Sequence, residues 1–104
     1  MSSGSEREGA PARPEDGQAT HTFAELVEKQ QLVDRAYARV EKLRRQYGPP
    51  TAETRTEQQA ETYETALRAW RDLEREAHAA ITEYARDTGL ARHEVEERVR
   101  AEAD

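Results

Sequence analysis

His93 and Glu97 stand four residues apart in the run HEVEE. That spacing puts an imidazole and a carboxylate on one helix face, where the two can share a metal ion. The run lacks the second histidine with which a zinc-protease helix grips its metal, so exposed polar side chains are the better reading and no metal is expected. His21 is isolated in the sequence, and His78 flanks an apolar stripe without a second ligand at helical spacing. Cysteine is absent, which removes disulfides, thiol nucleophiles and thiolate zinc sites. No glycine-rich phosphate loop, no paired inward carboxylates and no nucleophile beside a base can be read in the chain. The expectation is a protein that is not an enzyme, holds no cofactor and offers no site for a small-molecule substrate.

The densest run of cations is Arg35, Arg39, Lys42, Arg44 and Arg45. Residues 23–47 carry a local charge of +2, whereas everything from Gly48 onward sums to −6, the same as the net charge of the whole chain. A basic-tipped helix can touch nucleic acid or an acidic protein. Glu41, Glu53 and Glu57 lie close in sequence, and a solvated face with internal ion pairs is the simpler expectation.

The segment ITEYARDTGLARHEVEERVR, residues 81–100, resembles the helix-turn-helix of bacterial repressors. Ala85, Gly89 and Val95 sit at that motif's small, glycine and aliphatic spacings, with Leu90 after the glycine. The resemblance covers about 20 residues and implies DNA binding. The chain departs from the pattern at Arg98, where an aliphatic is wanted, with Val99 one step late. The helix that would enter the groove also carries Glu94, Glu96, Glu97 and Glu102, and negative charge there opposes the phosphate contacts that supply most DNA affinity.

These residues must be positioned by helices. Ala, Glu, Arg, Leu and Lys make up 56 of the 104 residues, a composition of long helices. Residues 1–21 have no large apolar residue after Met1 and are expected to be a disordered tail, without the apolar core of a secretory signal. A capping box of Thr22 and Glu25 predicts a helix over about 22–47. Its stripe runs Phe23, Leu26, Gln30, Val33, Tyr37, Val40, Arg44 and Tyr47, closed by Gly48, Pro49 and Pro50. A second helix, over about 52–87, is predicted from a box of Thr54 and Glu57 and a stripe of Ala60, Tyr63, Leu67, Trp70, Glu74, Ala77, Ile81 and Tyr84. A short third helix over about 91–101 is marked by Leu90, Val95 and Val99.

The predicted fold is therefore all-α: an antiparallel, coiled-coil-like hairpin spanning residues 22–104, with the third helix covering its open end. Folding the chain at residue 50 places Val40 by Ala60, Tyr37 by Tyr63, Val33 by Leu67, Gln30 by Trp70 and Phe23 by Ala77. Val27, Leu32, Leu43 and Leu73 fall beside the stripes and are the expected partner-binding surface. No apolar run reaches the ~18 residues needed to span a bilayer, and a cytoplasmic location is expected. The functional expectation is a non-catalytic interaction module, an adaptor or small regulator, binding itself as a homodimer or another helical protein. The alternative is a DNA-associated transcriptional regulator using segment 81–100 or the basic tip.

Overall fold

The computed structural model describes residues 19–48 and 56–104. Among them the protein is all-α, with helices α1 (Phe23–Tyr47), α2 (Glu57–Thr88) and α3 (Arg92–Ala103) and no strand. At ~1.5 Å per residue, α2 is about 48 Å long.

Each helix begins and ends where local chemistry satisfies its unpaired backbone groups. Thr22 caps α1 through a full capping box, its hydroxyl accepting from the Glu25 N–H at 3.1 Å while the Glu25 carboxylate accepts from the Thr22 N–H at 3.0 Å. The helix closes at Gly48, whose positive φ of 82° suits glycine and whose N–H donates to the Arg44 carbonyl. The second box differs from the expected one. Thr54 lies outside the described residues, and the box that forms joins Thr56 with Gln59, at 3.1 and 3.0 Å. Glu57 is thus the first residue of α2, two positions too early to return a bond to the cap. Gly89, with left-handed dihedrals of φ 77° and ψ 13°, ends α2 within the expected turn, and the helix runs to Thr88, one residue past the expected 87.

Two clusters of buried side chains hold the helices together. At one end Phe23 and Leu26 of α1 meet Ala80, Ile81, Tyr84 and Ala85 of α2 and Val95 and Val99 of α3. At the other end Val40 and Leu43 of α1 meet Tyr63 and Ala66 of α2, with Tyr47, Leu67 and Trp70 half-buried around them. The start of α1 therefore lies by the end of α2, and the end of α1 by the start of α2.

The register differs from the one obtained by folding the chain at residue 50. Phe23 packs on Tyr84 rather than Ala77, with ring centroids 6.3 Å apart, and Tyr37 on Trp70 rather than Tyr63, with centroids 5.4 Å apart. Partner numbers sum to 107, not 100. The helices are separated by residues 48–56, a longer connection than a turn centred on residue 50. The resulting displacement of seven residues is one heptad, so the same stripes still face each other. Gln30 no longer meets Trp70; its amide donates to Asp34 Oδ1 at 3.0 Å along its own helix.

Residues 1–18 of the expected tail lie outside the described residues. Residues 19–21, which that tail included, are held against the protein. Ala19 packs on the cluster around Tyr84, the Thr20 N–H donates to Asp87 Oδ2 at 3.1 Å, and His21 Nε2 sits 2.8 Å from Glu83 Oε1. These partners lie more than sixty residues away in sequence, out of reach of a reading based on local composition.

Candidate functional site

The residues expected to bind a partner do not share one face. Leu43 is only 4% exposed and belongs to the core, so it is not part of an outer surface. The reason is geometric: an α-helix drifts about 20° per heptad against its partner, which brings the flank position of Leu43 into the contact even though Leu32, three turns earlier and nearly in line with it, stays outside. Val27 is half-buried against the cluster of Phe23 and Tyr84 and lines a cleft with Phe23, Ala24 and Glu102 of α3. It stands about 140° around α1 from Leu32. Leu32, 43% exposed, and the half-buried Leu73 remain, both on the side away from α3.

That side carries a feature the sequence reading missed. An open groove of about 430 Å³ runs between α1 and α2, lined by Ala36 and Arg39 on one wall and by Gln58, Glu61, Thr62, Thr65, Ala66 and Ala69 on the other. Its floor is made of small side chains: Thr62, Ala66 and Ala69 follow one edge of α2 at spacings of four and three, facing Ala36 of α1, and Leu73 and Leu32 continue those two edges one turn beyond it. The signal was present in the sequence as small residues beside the stripes, but spacing along each helix does not show that two such edges meet across one groove. The other exposed large apolar residue, Tyr37 at 46%, stands on the opposite side over Trp70.

The cations separate in the same way. Arg35, Arg39 and Lys42 fall within about 60° of arc on the side of α1 beside the groove, an arc that also holds Glu28, and Arg39 lines the groove itself. Arg44 is on the other side of the helix, 3.7 Å from the Glu41 carboxylate, and Arg45 points along the outer edge. The rim on α2 is acidic, carrying Glu61, Asp72 and Glu76. Asp72 is paired at 3.1 Å with Arg75, both of them exposed. The face is thus basic along one helix and acidic along the other, with a small-residue floor between.

Segment 81–100 uses two of its basic residues, Arg92 and Arg98, to hold α3 in place. The Arg92 guanidinium donates through Nε to Thr82 Oγ1 at 2.9 Å, through a second nitrogen to the His78 carbonyl at 3.5 Å, and pairs with Glu96. Arg98 sits over the Phe23 ring, 5.5 Å from its centroid, a cation–π contact. Val95 and Val99 are each 1% exposed, so the outward face of α3 is left to His93, Glu94, Glu97, Arg100 and Glu102.

The chain matches no protein-family model, no curated protein and no solved structure. Among the described residues no group of three or more His, Asp or Glu side chains gathers around a common point as metal ligands would, and no helix is long and apolar enough to cross a membrane. His93 and Glu97 are both exposed. The Asp87 carboxyl is held below its ordinary value chiefly by the bond from the Thr20 N–H, with Arg86 and His21 adding to the effect and desolvation opposing it.

Proposed function

We propose that this protein is a non-catalytic interaction module, an adaptor or small regulator built on a coiled-coil-like helical hairpin and working in the cytoplasm. The observation that carries the reading is the groove between α1 and α2. It is long, shallow and floored by small side chains, with Leu32 standing 43% exposed at its edge. Small floors of this kind let another helix approach closely, and facing hairpins bury such floors in four-helix bundles. The partner is accordingly a helical protein, another chain or a second copy of this one.

Affinity capture from the native host, with wild type beside Leu32→Glu and Ala69→Glu, tests the reading. A helical protein or this chain itself retained by wild type and lost with both variants supports it. Equal capture by all three places the binding surface elsewhere. A gel shift at about 50 mM salt, where non-specific phosphate contacts are strongest, addresses the DNA alternative. Retention of duplex that is abolished by Arg35→Glu and Arg39→Glu would replace the interaction reading with nucleic-acid binding through the basic rim.

A further inference from the structure

We infer that the occupant of the groove is a second copy of this chain, lying parallel to the first and related to it by a two-fold axis running along the rod, so that α1 of each copy covers α2 of the other. The inference rests on the interaction reading above and specifies its partner. Its ground is charge. The side of α1 beside the groove carries Arg35, Arg39 and Lys42 against one acid, Glu28, and that of α2 carries Glu61, Asp72 and Glu76; of these Arg39 and Glu61 line the groove itself. A surface divided lengthwise into a basic and an acidic half is complementary to itself under one operation, rotation about the dividing line, and two-fold closure is the commonest form of assembly.

In that arrangement a basic rim meets an acidic rim on either side of the axis, and Leu32 comes over the partner's Leu73. Every neighbouring pair of helices is antiparallel, which also aligns their dipoles favourably. The other two-fold packing of the same faces, with rods antiparallel, stacks α1 on the partner's α1. It sets Arg35 and Arg39 against their own copies and Asp72 and Glu76 against theirs, and like charges at an interface are penalised. The bond from Arg75 to Asp72 is between two exposed side chains, and a pair of that kind is exchanged for another at little cost. α3 does not obstruct the face, because Arg92 ties it to Thr82 and His78 on the far side of α2.

The test uses the full chain in sedimentation equilibrium at tens of micromolar, with circular dichroism to confirm that each variant is folded. Wild type is expected at twice the 11.9 kDa of one chain. Arg35→Glu/Arg39→Glu makes both rims acidic, Glu61→Arg/Asp72→Arg makes both basic, and each variant alone is expected to weaken the dimer at least ten-fold. An equimolar mixture of the two is expected to restore it. Gln46→Cys, in a chain with no native cysteine, then carries a spin label near the tip. Parallel rods hold two such labels about 20 Å apart, whereas antiparallel rods that set Arg35 and Arg39 on their own copies separate them by about 30 Å at ~1.5 Å per residue. A monomeric wild type, a mixture that stays monomeric, or the longer distance overturns the proposal. A monomeric wild type whose capture of another helical protein still depends on Leu32 rejects the second copy and leaves the interaction reading standing. Loss of both rejects both.

Discussion

Tyr37 of α1 and Trp70 of α2 pack against each other with ring centroids 5.4 Å apart and planes tilted by 52°. This contact, at the edge of the cluster of Val40, Leu43, Tyr63 and Ala66, marks the register of the helix pair. It is also partly open to water, since Tyr37 is 46% exposed and Trp70 only half-buried. Tilted aromatic pairs add roughly 0.5–1.5 kcal/mol beyond their buried area, so the pair fixes alignment more than it supplies stability.

The first prediction follows from that exposure. Leu26, 1% exposed in the cluster with Ile81 and Tyr84, should lose about 3 kcal/mol on Leu26→Ala, within the range for buried leucines. Trp70→Ala removes a larger side chain but one that water already reaches, and should cost about 2 kcal/mol or less. Urea unfolding followed by circular dichroism ranks the two. A larger loss at Trp70 would mean that the aromatic contact, not the Leu26 cluster, dominates the fold.

The same contact shows which parts of the structure could be read from residue order. Helix identity was legible because stripes at three and four, threonine caps and glycine stops are local signals, and Thr22, Glu25, Gly48 and Gly89 each act as read. Register was not, because it depends on the path between Gly48 and Thr56, and a displacement of one heptad leaves every stripe facing the same way. The site was half legible. Leu32 and Leu73 flank their stripes far enough to stay outside the core, whereas Leu43 lies closer in and is drawn into it by helix drift. Spacing alone also could not divide the five cations, of which Arg35, Arg39 and Lys42 share a rim and Arg44 turns toward Glu41.

The caps give the second prediction. Thr22 and Thr56 each accept a bond from the third helical N–H and each is answered by the side chain three residues on. Thr22→Ala and Thr56→Ala should each cost about 1 kcal/mol, the usual loss for a hydroxyl cap. Thr22→Ala should also speed amide exchange at Glu25, whose N–H would lose its acceptor. Unchanged exchange there would show that the cap bond is not populated in solution.

A third prediction concerns Gly89, which adopts φ 77° with nothing within 4 Å of where a Cβ would stand. Space is therefore not the constraint, and Gly89→Ala should cost about 1 kcal/mol from left-handed backbone strain alone. Gly89→Asn should recover part of that loss, because asparagine tolerates the left-handed region better. A loss of several kcal/mol on alanine substitution would indicate a contact around Gly89 that the structure does not contain.

Acid should release the segment before α1, at a pH set by one carboxyl. The Asp87 carboxyl sits below its ordinary value of 3.8 because the Thr20 N–H donates to it. A carboxyl whose folded value is lowered stabilises the fold fully above the ordinary value, and that contribution is lost as pH falls through the lowered one. The Thr20 amide resonance should therefore titrate together with the Asp87 side chain, at a midpoint below 3.8. In Asp87→Asn the titration of Thr20 should vanish and residues 19–21 should become more accessible to protease. A Thr20 amide that ignores pH in that range would separate the two groups in solution.

Arg92 gives the last prediction, because one side chain carries most of the polar tie between α3 and α2. Its guanidinium reaches Thr82 Oγ1, the His78 carbonyl and the Glu96 carboxylate at once, and the planar fork of an arginine can serve several acceptors where a lysine ammonium cannot hold the same geometry. Ala91, the residue before α3, offers no side-chain cap, so the start of the helix relies on this anchor and on Val95 and Val99 beneath it. Arg92→Ala should cost roughly 1–2 kcal/mol, as the loss of a charge-assisted hydrogen bond does, and Arg92→Lys should recover less than half. The effect should be local: amide exchange should accelerate through residues 92–103 while the cluster of Val40, Leu43 and Tyr63 at the other end keeps its protection. Uniform acceleration along the whole chain would instead show that α3 and the α1–α2 pair unfold as one unit, with Arg92 contributing to global stability rather than to docking.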